Sequence, residues 1–530
     1  IKFSSKAKTL LEIEGKLSSA NIAPMHIFTV AEWKSNKNSC LEPMDTKIGE
    51  GPWIVRSSSS KEDSSTESHA GEFLSLQNVN KANLIESINE VISSYGDPEN
   101  SDEVLIQPML SNVKMSGVVF SHDPNTCSPY RVINWSDGPD TNLVTSGESG
   151  KLWFHAANSP YKAPSKLRIL VELVEELLTL FDNLPIDIEF AITSEKVNKK
   201  YKKVLWLLQV RPLILADQPE TSKQQEVRLK TISEKIKMGA RKQPFLMGDR
   251  TIYGVMPDWN PAEMIGIRPK PLAISLYREL ITDSIWAYQR HNYGYRNLRS
   301  FPLMPHFFGL PYIDARLSFN SFIPADLNEN LANKLANFYI DRLSREPTLH
   351  DKIEFEVVYS CYTLDLKEKL NGLSQSGFTE AEKDDLAHRL RTITNDIIRP
   401  ENGLWLKDAQ KLDVLQLRRK ELISSDVDLI SKIYWFLEDA KRYGTLPFAG
   451  LARAAFIAVQ LLNSLVNVGI FTKNDRQKFM ESISTVSRKL SKDRVEKKKS
   501  EFLKIYGHLR PGSYDLLSAR YDEAPENYFV

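Results

Sequence analysis

The chain has 530 residues, 42% of them hydrophobic and 26% charged, and its 69 basic and 68 acidic residues leave a net charge of +1. This length exceeds the roughly 250–300 residues of a single hydrophobic core, and the balanced charge argues against a general nucleic-acid binder. Three scattered cysteines cannot form a disulfide framework and no run of about 18 apolar residues occurs, so we expect a cytoplasmic protein without nucleic-acid or membrane partners.

The first 214 residues have the patterns of a mixed α and β domain. Apolar spacing predicts helices over residues 9–17, 80–95 and 167–180, and strands over 25–30, 53–56, 104–109, 116–121, 186–192 and 204–213. A polar turn is predicted between the last two strands.

The remainder of the chain is predicted to be largely helical. A charged, lysine-rich linker over 217–247 separates a first domain over 1–216 from a second over 248–530. The second domain opens with proline- and aromatic-rich segments and then has helical periodicity over 327–343, 380–397, 412–422, 427–443, 450–468 and 475–490. The predicted fold class is therefore α+β.

The most informative local feature is a pair of alternating segments, DIEFA and LLQVRP. If they pair antiparallel about a turn centred on Lys199, Glu189 lies opposite Gln209, and Asp187 lies opposite Arg211. These four polar side chains then share one face of the hairpin. The other face carries Ile188, Phe190, Leu208 and Val210.

A carboxylate beside an amide oxygen suits Mg²⁺, which takes few protein ligands and fills its shell with phosphate and water. Arg211, two residues beyond Gln209, can bind a phosphate oxygen. On spacing alone, an ordinary hairpin with cross-strand Asp–Arg pairing explains the pattern equally well.

A second feature is the sequence VRSSSSKEDSSTESHAG, in which a strand delivers Arg56 to a serine-rich loop over 57–68. Hydroxyl groups and loop amides can surround phosphates. By itself, a plain surface loop is the simpler interpretation of this stretch.

Five segments in order resemble the phosphoenolpyruvate synthase and pyruvate phosphate dikinase family. They are SSKAKTL, VRSSSSKEDSSTESHAGEF, IQPML with SGVVFSHDPNT, DIEFA and LLQVRP. The resemblance covers residues 1–214 and implies an ATP-grasp domain that binds ATP and Mg²⁺. It implies roles at six positions: Lys6, Arg56 and Arg211 bind ATP phosphates, Gln107 borders the adenine pocket, and Glu189 and Gln209 bind the metal.

The same family transfers phosphate through a histidine on a separate domain and releases AMP and phosphate. Its histidine motif is G-G-x-x-[ST]-H, and none of the nine histidines here follows paired glycines. We therefore expect that the phosphohistidine domain is absent from this sequence and that no catalytic histidine lies within it.

Nearly the whole chain resembles a subgroup of that family that is found with capsule-polysaccharide genes and includes the L-glutamine kinase of capsular phosphoramidate biosynthesis. The shared segments include MPDWNPAEMIG, PKPLAISLYRELIT, PYIDARLSFNSFIP and GHLRPGSYD. The resemblance implies transfer of a phosphoryl group to the side-chain amide of L-glutamine.

An amino-acid acceptor needs an anion-binding group and a carboxylate, because buried charges require partners. The candidate acceptor-binding residues are Arg278, Arg296, Arg316, Asp258, Asn260 and Glu263. The alternative for each is a polar residue that braces the core. Three alternatives for the function remain open: a phosphoenolpyruvate synthase-like enzyme, a rifampin phosphotransferase-like enzyme, and a degenerate module that binds ATP without catalysis.

Overall fold

The computed structural model describes residues 1–59, 74–138, 150–197, 200–510 and 518–529. The chain divides into two compact units, Ile1–Thr231 and Ile232–Val530. Most of the serine-rich loop, the centre of the β-hairpin turn and the PGSYD segment lie outside the described residues.

The first unit is built on two sheets. Its described strands are β1 (Asn21–Ile22), β2 (His26–Thr29), β3 (Trp53–Ser58), β4 (Ser75–Val79), β5 (Glu103–Pro108), β6 (Val113–Phe120), β7 (Tyr130–Asp137), β8 (Lys151–Ala156), β9 (Ile186–Val197) and β10 (Lys200–Pro212). A four-stranded sheet has the order β2-β5-β3-β4, and a six-stranded sheet has the order β1-β10-β9-β6-β7-β8.

Short helices connect and cover these sheets. They are α1 (Lys6–Ile13), α2 (Val30–Ser35), α3 (Lys37–Leu41), α4 (Met44–Ile48), α5 (Leu84–Ser93) and α6 (Arg168–Leu180), followed by α7 (Ser222–Ala240). Helix α7 occupies much of the predicted linker, and the division between the two units falls within it.

The core of the six-stranded sheet forms against helices α1 and α6. Helix α6 buries Leu170, Leu173, Val174 and Leu177, which follow the i, i+3, i+4, i+7 spacing of one helix face. These side chains pack in one cluster with the apolar face of β9 and β10. This packing holds the hairpin with its polar face directed away from the core.

The predicted elements of this unit are present, with two corrections. Helix α1 begins at Lys6 rather than at residue 9, because the Ser5 hydroxyl caps it by accepting a hydrogen bond from the Lys8 amide at 3.4 Å. The two strands of the hairpin extend further than the predicted ends at residues 192 and 204, since β9 and β10 remain paired as far as Val197 and Lys200.

The second unit is largely helical. Its described helices are α8 (Pro261–Met264), α9 (Pro271–Tyr277), α10 (Ile285–Asn292), α11 (Ala315–Asn320), α12 (Glu329–Arg345), α13 (Leu366–Leu370), α14 (Glu380–Ile398), α15 (Leu404–Ser424), α16 (Leu429–Asp439), α17 (Leu446–Asn467), α18 (Lys473–Ser482), α19 (Val486–Glu496) and α20 (Lys499–Tyr506). The described strands have two residues each: β11 (Tyr253–Gly254), β12 (His306–Phe307), β13 (Leu310–Pro311) and β14 (Ile313–Asp314). Single π-helical turns lie at Arg278–Thr282, Ile353–Val357 and Ala440–Thr445, and 3₁₀ turns at Pro347–Asp351, Asn371–Ser376 and Pro525–Asn527.

The helices predicted after residue 324 are present, with one difference. The predicted helix over 475–490 is two helices, α18 and α19, because the Thr485 hydroxyl caps a new helix by accepting from the Arg488 amide at 3.2 Å. Helix α12 and the segments that follow it form the largest apolar cluster of this unit.

Within the described residues, one stretch, Leu429–Asn467, has the length and composition of a membrane-crossing helix. It is not a continuous apolar run, because charged residues such as Lys432 and Arg453 interrupt it. In the second unit its C-terminal part, α17, packs against α10 and α15, and 33% of its apolar window is buried. Length and composition alone are weak support for a membrane span, because a core helix of a soluble protein meets the same criteria.

The six-stranded sheet is tightly packed around Gly117 of β6, and a substitution at this position tests that packing. A β-carbon at this position would lie 2.1 Å from the Asn134 carbonyl oxygen and 2.8 Å from the Trp135 Cα. Because backbone atoms cannot move aside singly, we expect Gly117→Ala to lower the free energy of unfolding by about 1–3 kcal/mol. Urea unfolding followed by circular dichroism measures this change.

Gly372→Ala is the matched control, since a β-carbon there meets no atom within 4 Å. Its stability should stay within about 0.5 kcal/mol of the parent. Equal effects of the two substitutions would contradict the close approach of β6 and β7.

Candidate functional site

Strands β9 and β10 pair in the predicted register at their polar end. Asp187 lies opposite Arg211, and Glu189 lies opposite Gln209. Side chains at directly opposed positions share a face, so the four polar groups form one patch on the six-stranded sheet.

A β-bulge at Leu208 changes the apolar side of this hairpin. The prediction that Leu208 belongs to the apolar face is wrong, because Leu207 pairs with Phe190 and the ladder resumes at Gln209. Leu207 is 1% exposed and lies in the core. An inserted residue leaves backbone groups outside the ladder. The Leu208 carbonyl oxygen accepts a hydrogen bond from Arg56 Nη1 at 3.2 Å.

Arg56 connects the two sheets at this point. It lies in β3 of the four-stranded sheet, and its Nη2 donates to Glu189 Oε2 at 3.2 Å. Burial acts to raise the pKa of Glu189, but the positive charges of Arg56, Lys6 and Arg211 outweigh burial and hold that pKa below its ordinary value. Three predicted phosphate-binding cations therefore act on one carboxylate.

Asp187 and Arg211 form the neighbouring ion pair. Arg211 Nε donates to Asp187 Oδ2 at 2.7 Å, and the Asp187 side chain is 7% exposed. Burial raises the pKa of Asp187 even though Arg211 opposes that change. Asp187 Oδ1 and Arg56 Nε are both buried, and neither has a hydrogen-bond partner among the described residues. Unsatisfied buried polar atoms at a site of this kind indicate room for a bound group.

Two glutamines complete the polar surroundings. Gln209 is 3% exposed, and no described residue is hydrogen-bonded to its side-chain amide. Gln107 lies in β5, is 4% exposed, and donates from Nε2 to the Ala23 carbonyl oxygen at 3.4 Å.

Lys6 is positioned by the start of helix α1. The Ser5 hydroxyl donates to Glu103 Oε2 at 2.6 Å, and the Ala7 amide donates to the Ser58 hydroxyl at 2.9 Å. Ser5 and Ala7 replace the glycines that flank the lysine in the family resembled. Their contacts attach the start of α1 to the end of β3, and Lys6 is buried at 4% exposure.

The residues present fit a magnesium ion with a small protein ligand set. The described residues hold no group of three His, Cys, Asp or Glu side chains suited to a metal. Mg²⁺ is commonly held by one or two protein oxygens together with substrate phosphates. Glu189 provides a carboxylate of lowered pKa, and Gln209 provides an amide that has no hydrogen-bond partner in the part of the chain that the structure describes.

Comparison with protein families gives one match. Residues 34–151 match the model of the pyruvate phosphate dikinase AMP/ATP-binding domain. This segment is therefore similar to an AMP/ATP-binding domain of the dikinase type. The predicted α+β fold class, with a mixed α and β first unit and a largely helical second unit, is confirmed.

Comparisons with individual proteins are more limited. The chain is 31% identical over 112 residues to asparagine–tRNA ligases from Shewanella sp. (strain MR-4), Shewanella sp. (strain MR-7) and Shewanella oneidensis, and the match covers 21% of this chain and 21% of each ligase. The chain thus spans about a fifth of the length of these curated relatives.

Among solved structures, D-alanyl-alanine synthetase A from Vibrio cholerae is 14% identical to the chain, with a TM-score of 0.23. The match covers 39% of this chain and 55% of that chain. A likeness at this TM-score supports no conclusion about the protein.

The predicted acceptor-binding residues have varied surroundings in the second unit. Asp258 is paired with Arg290 at 3.0 Å, and Arg316 donates to the carbonyl oxygens of Arg241 and Gly239 at 2.8 and 2.9 Å. The Asn260 side chain caps helix α8.

The remaining acceptor candidates differ in exposure. Arg278 is paired with Asp283 at 3.1 Å, Glu263 is exposed and Arg296 is half-buried. The pKa of Arg296 is lowered by burial, against the opposing charge of Glu329. Asp258, Asn260, Arg278 and Arg316 already have protein partners, whereas Glu263 and Arg296 form no ion pair with any described residue.

The sequence interpretation missed a buried charge cluster next to Asp258. The Arg290 guanidinium lies 4.2 Å from the centre of the Phe322 ring, and that of Arg453 lies 4.9 Å from it. Arg453 in turn forms a two-point ion pair with Glu354. No sequence pattern indicates these contacts, because Glu354 and Arg453 are 99 residues apart.

His122 is buried within the first unit and contacts a neighbouring hydroxyl group. It is 8% exposed, and its Nδ1 lies 3.0 Å from the Ser121 hydroxyl. Burial, assisted by the charge of Arg131, lowers the pKa of His122 from 6.5 to about 4. The folded protein therefore keeps this imidazole neutral at physiological pH.

This lowered pKa predicts a pH dependence of stability. Below pH 6.5 the unfolded chain binds a proton at His122 that the folded protein does not bind until about pH 4. His122 should therefore remove about 3 kcal/mol of stability as the pH falls through that window. Urea unfolding between pH 7.5 and pH 4 should show a smaller decline for His122→Asn than for the parent.

His388→Asn, at an exposed position of α14, is the control and should keep the parental profile. Parallel pH profiles for the parent and His122→Asn would contradict a neutral, buried His122.

Proposed function

We propose that this protein binds Mg-ATP in its first unit as part of an AMP-forming phosphotransferase that works through a phosphohistidine. The observation that carries the proposal is the grouping of Arg56, Lys6 and Arg211 around Glu189, with Gln209 opposite it. The match of residues 34–151 to a dikinase AMP/ATP-binding domain supports the same interpretation.

In this proposal the hairpin supplies the metal-binding residues and the cations supply the phosphate contacts. Glu189 and Gln209 would hold Mg²⁺, which supplies neutralisation of phosphate charge. Arg56 and Arg211 donate from guanidinium groups whose planar shape suits phosphate oxygens, and Lys6 adds a point charge. Catalysis of phosphoryl transfer depends on such positioning and charge stabilisation.

The phosphate-carrying histidine is proposed to come from outside the residues of this sequence. His122 lies in a family motif of the first unit, and its burial argues for a structural role. The chain's own part would then be to bind the nucleotide, to orient its phosphates and to bind the acceptor.

L-glutamine is the acceptor that the segments of the second half favour. A pyruvate acceptor would need a barrel of alternating strands and helices, whereas the described strands of the second unit have two residues each. A rifampin-like acceptor fits a helical unit, but the shared segments are those of glutamine kinases.

The Glu189→Gln substitution tests the metal site. It distinguishes a functional site from a degenerate module that binds ATP without catalysis. The substitution keeps the shape of the side chain but removes the charge that Mg²⁺ and the three cations share. Since loss of even a supporting contact weakens metal binding about 10–100-fold, we expect at least a tenfold loss of Mg-ATP affinity by calorimetry.

The matched control is Glu195→Gln, in the same strand at an exposed position. It should bind Mg-ATP like the parent. Unchanged affinity in Glu189→Gln would instead favour a degenerate module.

Acceptor identity is tested by titrating the protein, saturated with Mg-ATP, with L-glutamine and separately with pyruvate. We expect heat of binding with glutamine only. An amino acid carries both a carboxylate and an ammonium group, and a polar helical unit can form ion pairs with both. Binding of pyruvate alone would contradict the proposed acceptor and leave the ATP site unaffected.

A further inference from the structure

A cavity of about 160 Å³ lies in the second unit. Its walls come from α12, from the π-helical turn Ile353–Val357, from the segment that follows this turn, from α13 and from α17. None of the six predicted acceptor residues lines it. A cavity of about this size is known to hold a benzene ring, so its volume suits a ligand of roughly six to ten non-hydrogen atoms.

The walls of the cavity carry two cations. Arg342 is half-buried on α12, and no described residue pairs with its guanidinium group. Lys369 is 37% exposed and lies 3.1 Å from the buried carboxylate of Asp365. A half-buried arginine without a carboxylate is a favourable place for the carboxylate of a ligand, because the pairing is charge-assisted and can be bidentate.

The remaining polar groups of the cavity can hold the rest of a zwitterion. Glu356 is an exposed carboxylate in the wall. Gln460 of α17 is 8% exposed and donates from Nε2 to the Ser360 hydroxyl at 3.2 Å, which leaves its other amide groups available to a ligand. Cys361 is 2% exposed, and burial raises the pKa of its thiol to about 12, so this part of the cavity wall is uncharged.

We infer that this cavity is the acceptor site and that it takes a small α-amino acid with a polar side chain. The ligand carboxylate binds Arg342, its ammonium group faces Glu356, and its side-chain amide meets Gln460. The identity of the ligand rests on the proposed function. The size of the cavity and the charges of its walls are independent of that proposal.

The experiment is calorimetric titration of the full chain, with and without saturating Mg-ATP, using L-glutamine, L-glutamate and L-asparagine. The variants are Arg342→Ala and the conservative Arg342→Lys. Arg345→Ala, on the same helix but outside the cavity, is the control. Circular dichroism and a separate Mg-ATP titration verify that each variant is folded.

We expect Arg342→Ala to weaken glutamine binding about tenfold or more, the usual effect of losing a charged hydrogen bond. Arg342→Lys should retain part of the affinity, because it keeps the charge but not the bidentate geometry. Arg345→Ala should bind glutamine like the parent, and Mg-ATP affinity should be unchanged in all three variants.

The outcomes separate this inference from the proposed function. Glutamine binding that is equal in the parent and in Arg342→Ala overturns the cavity as the acceptor site and leaves the function standing. Binding of a different amino acid that depends on Arg342 supports the cavity and overturns glutamine as the acceptor. Failure of the parent to bind any of the three amino acids, while Mg-ATP still binds, overturns the inference.

Discussion

The pairing of β9 with β10, interrupted by one bulge at Leu208, is the constraint on which the candidate site depends. The regular ladder places Glu189 and Gln209 side by side on one face. The bulge inserts Leu208 between Leu207, which lies in the core, and Gln209, where the ladder resumes. The Leu208 carbonyl oxygen accepts a hydrogen bond from Arg56. A flat ladder would keep that carbonyl in the sheet and would leave Arg56 without its second contact.

The positive and negative charges of the candidate ATP site compensate one another only in part. Glu189 is influenced by three cations, and Asp187 is tied to Arg211. Burying charges costs several kcal/mol per ion unless partners and hydrogen bonds compensate, and here Asp187 Oδ1 and Arg56 Nε have no described partner. Such an arrangement is poorly suited to stability alone and well suited to a polyanion with its metal ion. The predicted effect of Glu189→Gln rests on this imbalance.

The second unit contains buried charges that are paired more completely. Its buried pairs, Asp258 with Arg290 and Glu354 with Arg453, use their charges on each other. Paired charges of this kind brace a helical core and have little capacity left for a ligand. Arg342 differs because no described residue pairs with it, so a ligand carboxylate can bind there without first displacing a protein partner.

Sequence alone determined the secondary structure of most segments and the pairing of Glu189 with Gln209, because strand and helix periodicity record which residues share a face. It did not determine the bulge, which depends on how Leu207 fits the core. It also did not determine the contact of Arg56 with Leu208, across 152 residues, or the surroundings of Arg342. Periodicity states which side of an element is buried, but only the packed tertiary structure decides which elements meet there.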